Sequence, residues 1–231
     1  ENTAIMKKEP QPNENEFSYQ SQRLVEYLRG TQAIQSESIA HAFLRVPREL
    51  FLSKENIFRA YEDMALPTQH GQTISQPTTI AHMLELLDVK KGMNVLEVGS
   101  GCGYVLALLS YLVGENGKVW GMELEKDLVE FSQEKIKELG LNNVEIATGD
   151  GAQGWKEHAP FDRILVSAAV PFIPPALFKQ LKEKGHIIAP VGDSFSQRLV
   201  KMAKFNGKIL KREMEGNWYE FVPLKSKIFK P

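Results

Sequence analysis

The feature that most narrows the folds open to this chain is the run Asn94-Val95-Leu96-Glu97-Val98-Gly99-Ser100-Gly101-Cys102-Gly103. Its first half carries three apolar residues, Val95, Leu96 and Val98, which fit a strand buried within a parallel sheet. Its second half alternates glycines, which predicts a turn with no Cβ atoms to keep a ligand away from the backbone. A second apolar run, Val119 to Met122, ends in an acid, Glu123, about twenty residues on. Strand, glycine turn, helix and acid-ended strand make a βαβ unit with a nucleoside-type site at its carboxyl edge.

The chain alternates around that unit. Strands are predicted at 93–98, 118–122, 143–147 and 161–167, helices at 103–113, 125–139 and near 174–183, and a last strand at Ile187-Ile188-Ala189. That order predicts an α/β, doubly wound, Rossmann-like sheet with helices on both faces. Upstream, Phe17, Leu24, Val25 and Leu28 follow helical spacing to Gly30. A second helix has Ser36 as its N-cap candidate, runs through Ile39, Phe43 and Leu44, and stops at Pro47. A third begins at Pro77 and puts Ile80, Met83, Leu84 and Leu87 on one face. Tyr61 to Gln76 has no period and contains Pro67 and Gly71, a loop of the length that is often functional. Downstream, Arg198–Phe205 and Lys208–Met214 flank Asn206-Gly207, a strong hairpin signal, and Tyr219 to Leu224 reads as a final strand. The expected organisation is a polar, disordered tail over 1–17 with Pro10 and Pro12, then N-terminal helices and a loop over 18–90. An α/β cofactor core over 91–192 follows, and antiparallel strands over 193–231 complete the same domain.

Composition removes several classes of function. The formal net charge is −1 and no basic stripe is present, so nucleic acid is not an expected partner. No apolar run reaches the roughly 20 residues a membrane helix needs. Cys102 is the single cysteine, so no internal disulfide can form and a reducing compartment is permitted. The histidines His41, His70, His82, His158 and His186 are dispersed without metal-ligand spacing, and no metal is expected. A cytoplasmic monomer is the expectation.

The glycine spacing selects among nucleosides. A dinucleotide loop reads G-x-G-x-x-G, whereas Gly99, Gly101 and Gly103 read G-x-G-x-G, with Tyr104 where the third glycine would stand. Glu97 precedes the loop, and a carboxylate repels a pyrophosphate but attracts an ammonium group. S-adenosylmethionine carries an amino-acid end, a sulfonium cation and no phosphate, and the loop favours it over a nicotinamide dinucleotide. Glu123 suits both ribose hydroxyls. Asp150-Gly151 suits an adenine amino group, the glycine letting the ring approach. Each acid has a plainer reading as a helix cap or a solvated strand end.

These residues resemble the protein-L-isoaspartate (D-aspartate) O-methyltransferase family. The resemblance runs from about Ser36 to Leu224, on Val46-Pro47-Arg48, Tyr61-Glu62-Asp63, Gly71-Gln72-Thr73-Ile74-Ser75-Gln76-Pro77 and Val95 to Tyr104. It continues through Gly149-Asp150-Gly151, Ala159-Pro160-Phe161-Asp162, Gln180-Leu181-Lys182, Pro190-Val191-Gly192 and Phe221-Val222-Pro223-Leu224. Its most diagnostic pieces are Gln72 to Pro77 and the terminal Phe-Val-Pro-Leu.

The resemblance implies a methyltransferase fold. It implies methyl transfer from S-adenosylmethionine to the α-carboxylate of isoaspartyl or D-aspartyl residues in aged proteins, leaving S-adenosylhomocysteine. The ester then closes to a succinimide, the first step of repair. It further implies that Ser75 orients the acceptor carboxylate, and that Gln72, Thr73, Ile74, Glu97, Gly99, Ser100, Gly101, Glu123, Leu124, Asp150 and Gly151 bind the cofactor. Val222, Pro223 and Leu224 join Ser75 in holding the peptide, by strand-edge backbone contacts that tolerate many sequences. Ser75 also has a plainer reading as the N-cap of the helix at Pro77. Cys102, Val105 and Thr78 depart from the family pattern. A same-fold methyltransferase acting on a small molecule or RNA, and a non-catalytic peptide-binding homologue, are the competing readings.

Overall fold

The computed structural model describes residues 14–68, 72–193, 195–213 and 218–229. The predicted tail therefore lies mostly outside the described residues, but its last part is helical, because α1 spans Glu14–Gly30. Leu24, Val25 and Leu28 of α1 are buried, as their spacing predicts. In α2 (Glu37–Arg45) Ile39 and Phe43 turn inward and Leu44 stays exposed. Ser36 occupies the N-cap of α2 without capping it: its hydroxyl donates to Glu85 Oε2 at 2.7 Å. The Gln35 and Ser36 amides both donate to Glu85 Oε1, so a carboxylate from another helix anchors this terminus.

The segment read as a loop from Tyr61 holds a small antiparallel ribbon, β1 (Leu66–Pro67) with β2 (Thr73–Ile74). Leu66 pairs with Ile74 and both are buried. Strands of two residues have no period to detect, which is why this stretch read as irregular. His70 and Gly71 lie outside the described residues.

Helix α3 (Pro77–Leu87) is fixed at both ends. Its N-cap is Gln76, and the cap acceptor comes from Asp63 in the preceding loop. Asp63 Oδ1 accepts from the Thr78 amide at 2.8 Å, and Oδ2 accepts from Thr78 Oγ1 and Gln76 Nε2 at 2.7 and 3.1 Å. At the other end Lys201 Nζ donates to Leu86 O at 3.0 Å and Arg163 Nε to Leu87 O at 2.7 Å. Cations suit the negative end of a helix. His186 Nε2 also lies 2.7 Å from Leu87 O. Burial holds the His186 pKa down to about 4, so at neutral pH it donates as an uncharged imidazole.

The central sheet is built from β3 (Asn94–Val98), β4 (Lys118–Glu123), β5 (Val144–Thr148), β6 (Phe161–Val166), β7 (Leu181–Gly192), β8 (Gln197–Phe205) and β9 (Lys208–Glu213). Between them lie α4 (Tyr104–Val113), α5 (Lys126–Glu138) and α6 (Pro175–Lys179). The strand order is β5-β4-β3-β6-β7-β8-β9, parallel through β7 and antiparallel beyond it. This is the predicted α/β sheet, and β8 and β9 extend it directly. Side chains alternate between its faces. Val95, Val119, Leu165 and Ile188 pack in one cluster with apolar residues of α1 to α5. Leu96, Val98, Ile164, Val166, Ile187 and Ala189 pack in the other with Leu177 of α6. The second face is thinner than predicted, since short 3-10 turns stand where longer helices would.

Three predictions are corrected. The helix expected near 174–183 is only α6, and β7 is much longer than Ile187-Ile188-Ala189. Leu181 pairs with Phe161 and His186 with Arg163, so Lys182–Gly185 bulge opposite Asp162, with Lys184 in a left-handed conformation at φ +63°. Polar Lys182-Glu183-Lys184 reads as a last helical turn only because a bulge has no apolar period. Tyr219–Leu224 is likewise not a regular strand. It makes single bridges, Tyr219 with Gln197 and Pro223 with Ala169. Pro223 has no amide to continue a ladder. The hairpin stands as predicted, with Asn206 and Gly207 at φ +51° and +69°, the pair a type I′ turn requires. Met214, at the predicted end of its second strand, lies outside the described residues.

A Cβ added at Gly207 would touch nothing within 4 Å, so only backbone strain opposes a side chain there. Gly207→Ala is expected to lower the unfolding free energy by about 1 kcal/mol with an unchanged urea m-value. Urea titration checks this; a stability equal to wild type would contradict it.

Candidate active site

The chain passes from β3 outward through β4 and β5, then returns to β6 on the other side of β3. In such sheets the crevice at this reversal, beyond the carboxyl ends of the strands, is where ligands bind. Ser167, just after β6, closes the seam: its amide donates to Val98 O at 2.9 Å and its hydroxyl to Glu97 Oε1 at 2.6 Å. Glu97 is 1 % exposed. Burial pushes its pKa up to about 8 against the pull of the Ser167 hydrogen bond, so it keeps a proton at neutral pH. Glu97 Oε2 and Ser100 Oγ are buried and have no hydrogen-bond partner among the described residues.

The glycine loop is tied to β4. The Gly99 and Ser100 amides donate to Met122 O at 2.8 and 3.2 Å, and the Gly101 amide donates to Glu123 Oε2 at 2.9 Å. Glu123 Oε1 accepts from the Leu124 and Glu125 amides, so three backbone N–H groups hold this carboxylate in place. Gly99, Gly101 and Gly103 all have positive φ, at +74°, +53° and +90°. A Cβ on Gly101 would meet nothing, leaving its face open, whereas one on Gly103 would press on Ser132 at 2.8 Å. Gly103 is thus a packing glycine beneath α4, and Gly101 the one whose bare backbone faces the crevice.

Gly99, Gly101, Glu123, Leu124 and Gly151 line one cleft with Gln72, Thr73, Val222, Pro223 and Leu224. Gly151 packs more tightly than its expected role requires, because a Cβ there would overlap Val98 Cγ1. Asp150 is not among the residues lining this cleft; its carboxylate accepts from the Ala152 amide and from Ser226 Oγ. Glu97 and Ser100 lie behind the loop rather than in the cleft wall, and the Ile74 side chain is 3 % exposed, in the core.

Ser75 lines a second cleft of about 380 Å³ with Gln76, Thr78, His82, Tyr219 and Phe221. The two clefts meet at Thr73, Ser167 and Val222. Gln76 holds the N-cap position of α3, and the Ser75 hydroxyl makes no hydrogen bond to another described residue. Ser75 O accepts from Arg48 Nη2 at 3.0 Å. Across the cleft His82 Nδ1 lies 3.0 Å from the Tyr219 hydroxyl, and the Arg198 guanidinium lies 4.3 Å from the centre of the Trp218 ring. The edge at Val222–Leu224 is partly used internally: Val222 O accepts from the Ala169 amide, and the Leu224 amide donates to Ala169 O. Lys225 Nζ reaches Glu125 Oε1 at 2.8 Å, so the C-terminal segment straps the first cleft.

Ser167, Asp63 and Tyr219 escaped the sequence reading. Ser167 alone had a usable signal, its place at the carboxyl end of the strand next to β3. Among the described residues no group of three or more His, Cys, Asp or Glu is placed to hold a metal, and no helix is long and apolar enough to cross a membrane. Cys102 is buried, with its thiol pushed up to about 11.

The residues fit S-adenosylmethionine. The buried Glu97 carboxyl, unpartnered at Oε2, would pair with an ammonium-bearing group by giving up its proton, the unpartnered Ser100 hydroxyl would accept from it, open backbone at Gly101 suits close approach, and Glu123 is presented at the end of β4.

Comparison with known proteins agrees. The family model described as protein-L-isoaspartate(D-aspartate) O-methyltransferase matches residues 19–228. A protein-L-isoaspartate O-methyltransferase of Methanococcus maripaludis is 45% identical over 201 residues, 87% of this chain and 93% of that protein. One from Methanothrix thermoacetophila is 44% identical over 206 residues, 89% of this chain and 95% of that protein. A solved protein-L-isoaspartate O-methyltransferase superposes with a TM-score of 0.81 at 33% identity, over 89% of this chain and 66% of its own. A beta-aspartate methyltransferase structure from Plasmodium falciparum, in complex with S-adenosyl-L-homocysteine, gives 0.78 at 31% identity, over 89% and 98%.

Glu97 provides a test by pH. Its folded pKa lies above the ordinary carboxyl value, so its contribution to stability is complete below about pH 4.5 and is lost as pH rises through about 8. Glu97→Gln lacks that loss and should gain on wild type between pH 5 and 8, by up to a few kcal/mol. Urea titrations at both pH values measure it; parallel pH profiles for the two proteins would refute the buried, protonated carboxyl.

Proposed function

The chain belongs to the protein-L-isoaspartate(D-aspartate) O-methyltransferase family, and from that premise we propose that Ser75 orients the acceptor carboxylate while the loop Gly99–Gly103 holds the methyl donor. The protein is an S-adenosylmethionine-dependent methyltransferase, and its substrates are isoaspartyl proteins. The observation that carries the residue assignment is the junction of the two clefts, with an uncommitted serine hydroxyl on one side and the glycine loop on the other.

S-adenosylmethionine supplies, when bound, a methyl group on a sulfonium cation. The protein's own work is placement. An isoaspartyl α-carboxylate is ionised at neutral pH, so no general base has to act on it. Ser75 donates one hydrogen bond to an acceptor oxygen and leaves the other free for in-line attack. Positioning of this kind lowers the barrier by several kcal/mol. Glu123 would accept from the ribose hydroxyls, and Asp150 with Gly151 would flank the adenine. Glu97 and Ser100 face the amino-acid end from behind the loop. Gln72, Thr73 and the backbone at Ile74 cover the junction and help exclude water. Val222, Pro223 and Leu224 border both donor and peptide. The methyl ester formed on the substrate closes to a succinimide by attack of the following peptide nitrogen with loss of methanol, and hydrolysis of that ring returns some normal aspartate.

Ser75→Ala is expected to lower kcat by about 10- to 100-fold while the cofactor Kd stays within about threefold of wild type. Methyl transfer to an isoaspartyl peptide, set beside its aspartyl twin, checks both the residue and the specificity. Wild-type turnover in Ser75→Ala would remove the serine's role.

A further inference from the structure

Arg48 is fully buried, an unusual place for a guanidinium. Nη2 donates to Ser75 O at 3.0 Å and to Met64 O at 3.3 Å. Nε and Nη1 have no hydrogen-bond partner among the described residues. No described carboxylate pairs with it; the titratable groups beside it are Tyr104, Cys102 and Tyr61, all uncharged at neutral pH. Its guanidinium carbon lies 5.3 Å from the centre of the Tyr104 ring, and Tyr104 is the first residue of α4, directly after Gly103. The Tyr104 hydroxyl is pushed up to about 12 by burial, so the ring beside the cation is neutral.

An unpaired buried cation weakens a fold unless its contacts supply something an apolar side chain does not. Here the contacts join two parts of the site. Through Nη2 its guanidinium grips the backbone of Ser75 and of Met64, just before β1. The same guanidinium lies over the Tyr104 ring, at the start of the helix that follows the glycine loop. We propose that Arg48 is a positioning residue for methyl transfer, setting the distance between the Ser75 backbone and the glycine loop through the Ser75 carbonyl and the Tyr104 ring. The proposal rests on the reading of Ser75 as the group that orients the acceptor. In-line displacement is sensitive to shifts of about 1 Å, so loosening this link should reduce turnover more than binding.

The experiment is a kinetic cycle with Ser75→Ala, Arg48→Met, Arg48→Lys and the Ser75→Ala/Arg48→Met double variant. Each is measured for methyl transfer to an isoaspartyl peptide, for cofactor Kd by calorimetry and for melting. Arg48→Met is expected to lower kcat by about 100-fold, with the cofactor Kd within about threefold. The double variant should fall no more than about threefold below the worse single variant, because both changes act on one serine. Arg48→Lys keeps the charge and one nitrogen but not the planar fork, and should recover part of kcat at near wild-type melting. If Arg48→Met does not fold, Arg48→Lys carries the test through a kcat about 10-fold below wild type. Effects that multiply in the double variant, cofactor affinity falling in step with turnover, or wild-type kcat in Arg48→Lys would each overturn the proposal. Wild-type kcat in Ser75→Ala would overturn the serine reading first; a crippled Ser75→Ala beside a fully active Arg48→Lys would overturn only this inference.

Discussion

Parallel pairing of β3 with β4 on one side and β6 on the other places the groups of the donor site. Val98 stands level with Met122 and with Val166, so the three strands end together and their exits emerge side by side. The exits are the glycine loop, the segment from Glu123 to Glu125, and Ser167. Glu97 is buried because it lies one residue before the end of the central strand. Ser167 reaches it because β6 keeps the same register one residue longer. A one-residue slip would turn Glu97 to the opposite face, away from Ser167 and among Trp120, Ile164 and Val166 of the neighbouring strands.

Two buried ionisable groups stand on either side of the donor loop, and they do not pair. Cys102 lies within electrostatic reach of both. Glu97 avoids an isolated buried charge by holding its proton, as burial drives its pKa upward. A guanidinium has no such option in the accessible pH range, so Arg48 relies on two carbonyls and an aromatic ring. Apolar residues at both positions would fill the space at lower cost to stability. Each group touches a residue that lines a cleft, Glu97 through Ser167 and Arg48 through the Ser75 carbonyl.

The sheet was legible in the sequence because buried parallel strands and amphipathic helices leave long periodic signals, and Asn206-Gly207 marks its hairpin without them. The donor loop was legible for a different reason, since alternate glycines restrict what backbone can follow a strand. What stayed hidden depends on contacts distant in sequence. Asp63 caps a helix 15 residues away, and Glu85 anchors one 49 residues before it. Neither pairing has a local pattern. The β7 bulge was hidden because a charged run looks alike in a helix end and in a bulge. Ser75 read equally well as an N-cap; only the structure shows the cap acceptor to be Asp63, which leaves the serine hydroxyl uncommitted.

The acceptor side owes its geometry to a helix rather than to the loop that carries the serine. Ser75 precedes α3, and α3 is held at its start by Asp63 and at its end by Arg163, Lys201 and His186 from three adjacent strands. Those strands, β6, β7 and β8, lie on the other side of β3 from β4 and β5. The glycine loop is thus placed by β3 and β4, and Ser75 by α3 resting on the strands beyond β3; the two halves meet at the β3–β6 seam. His186 stays neutral until pH falls to about 4, so its part of the clamp does not titrate where the acceptor carboxylate is ionised. Across that range the spacing of the two halves is governed by packing and by fixed hydrogen bonds, which is the condition a displacement without a general base requires.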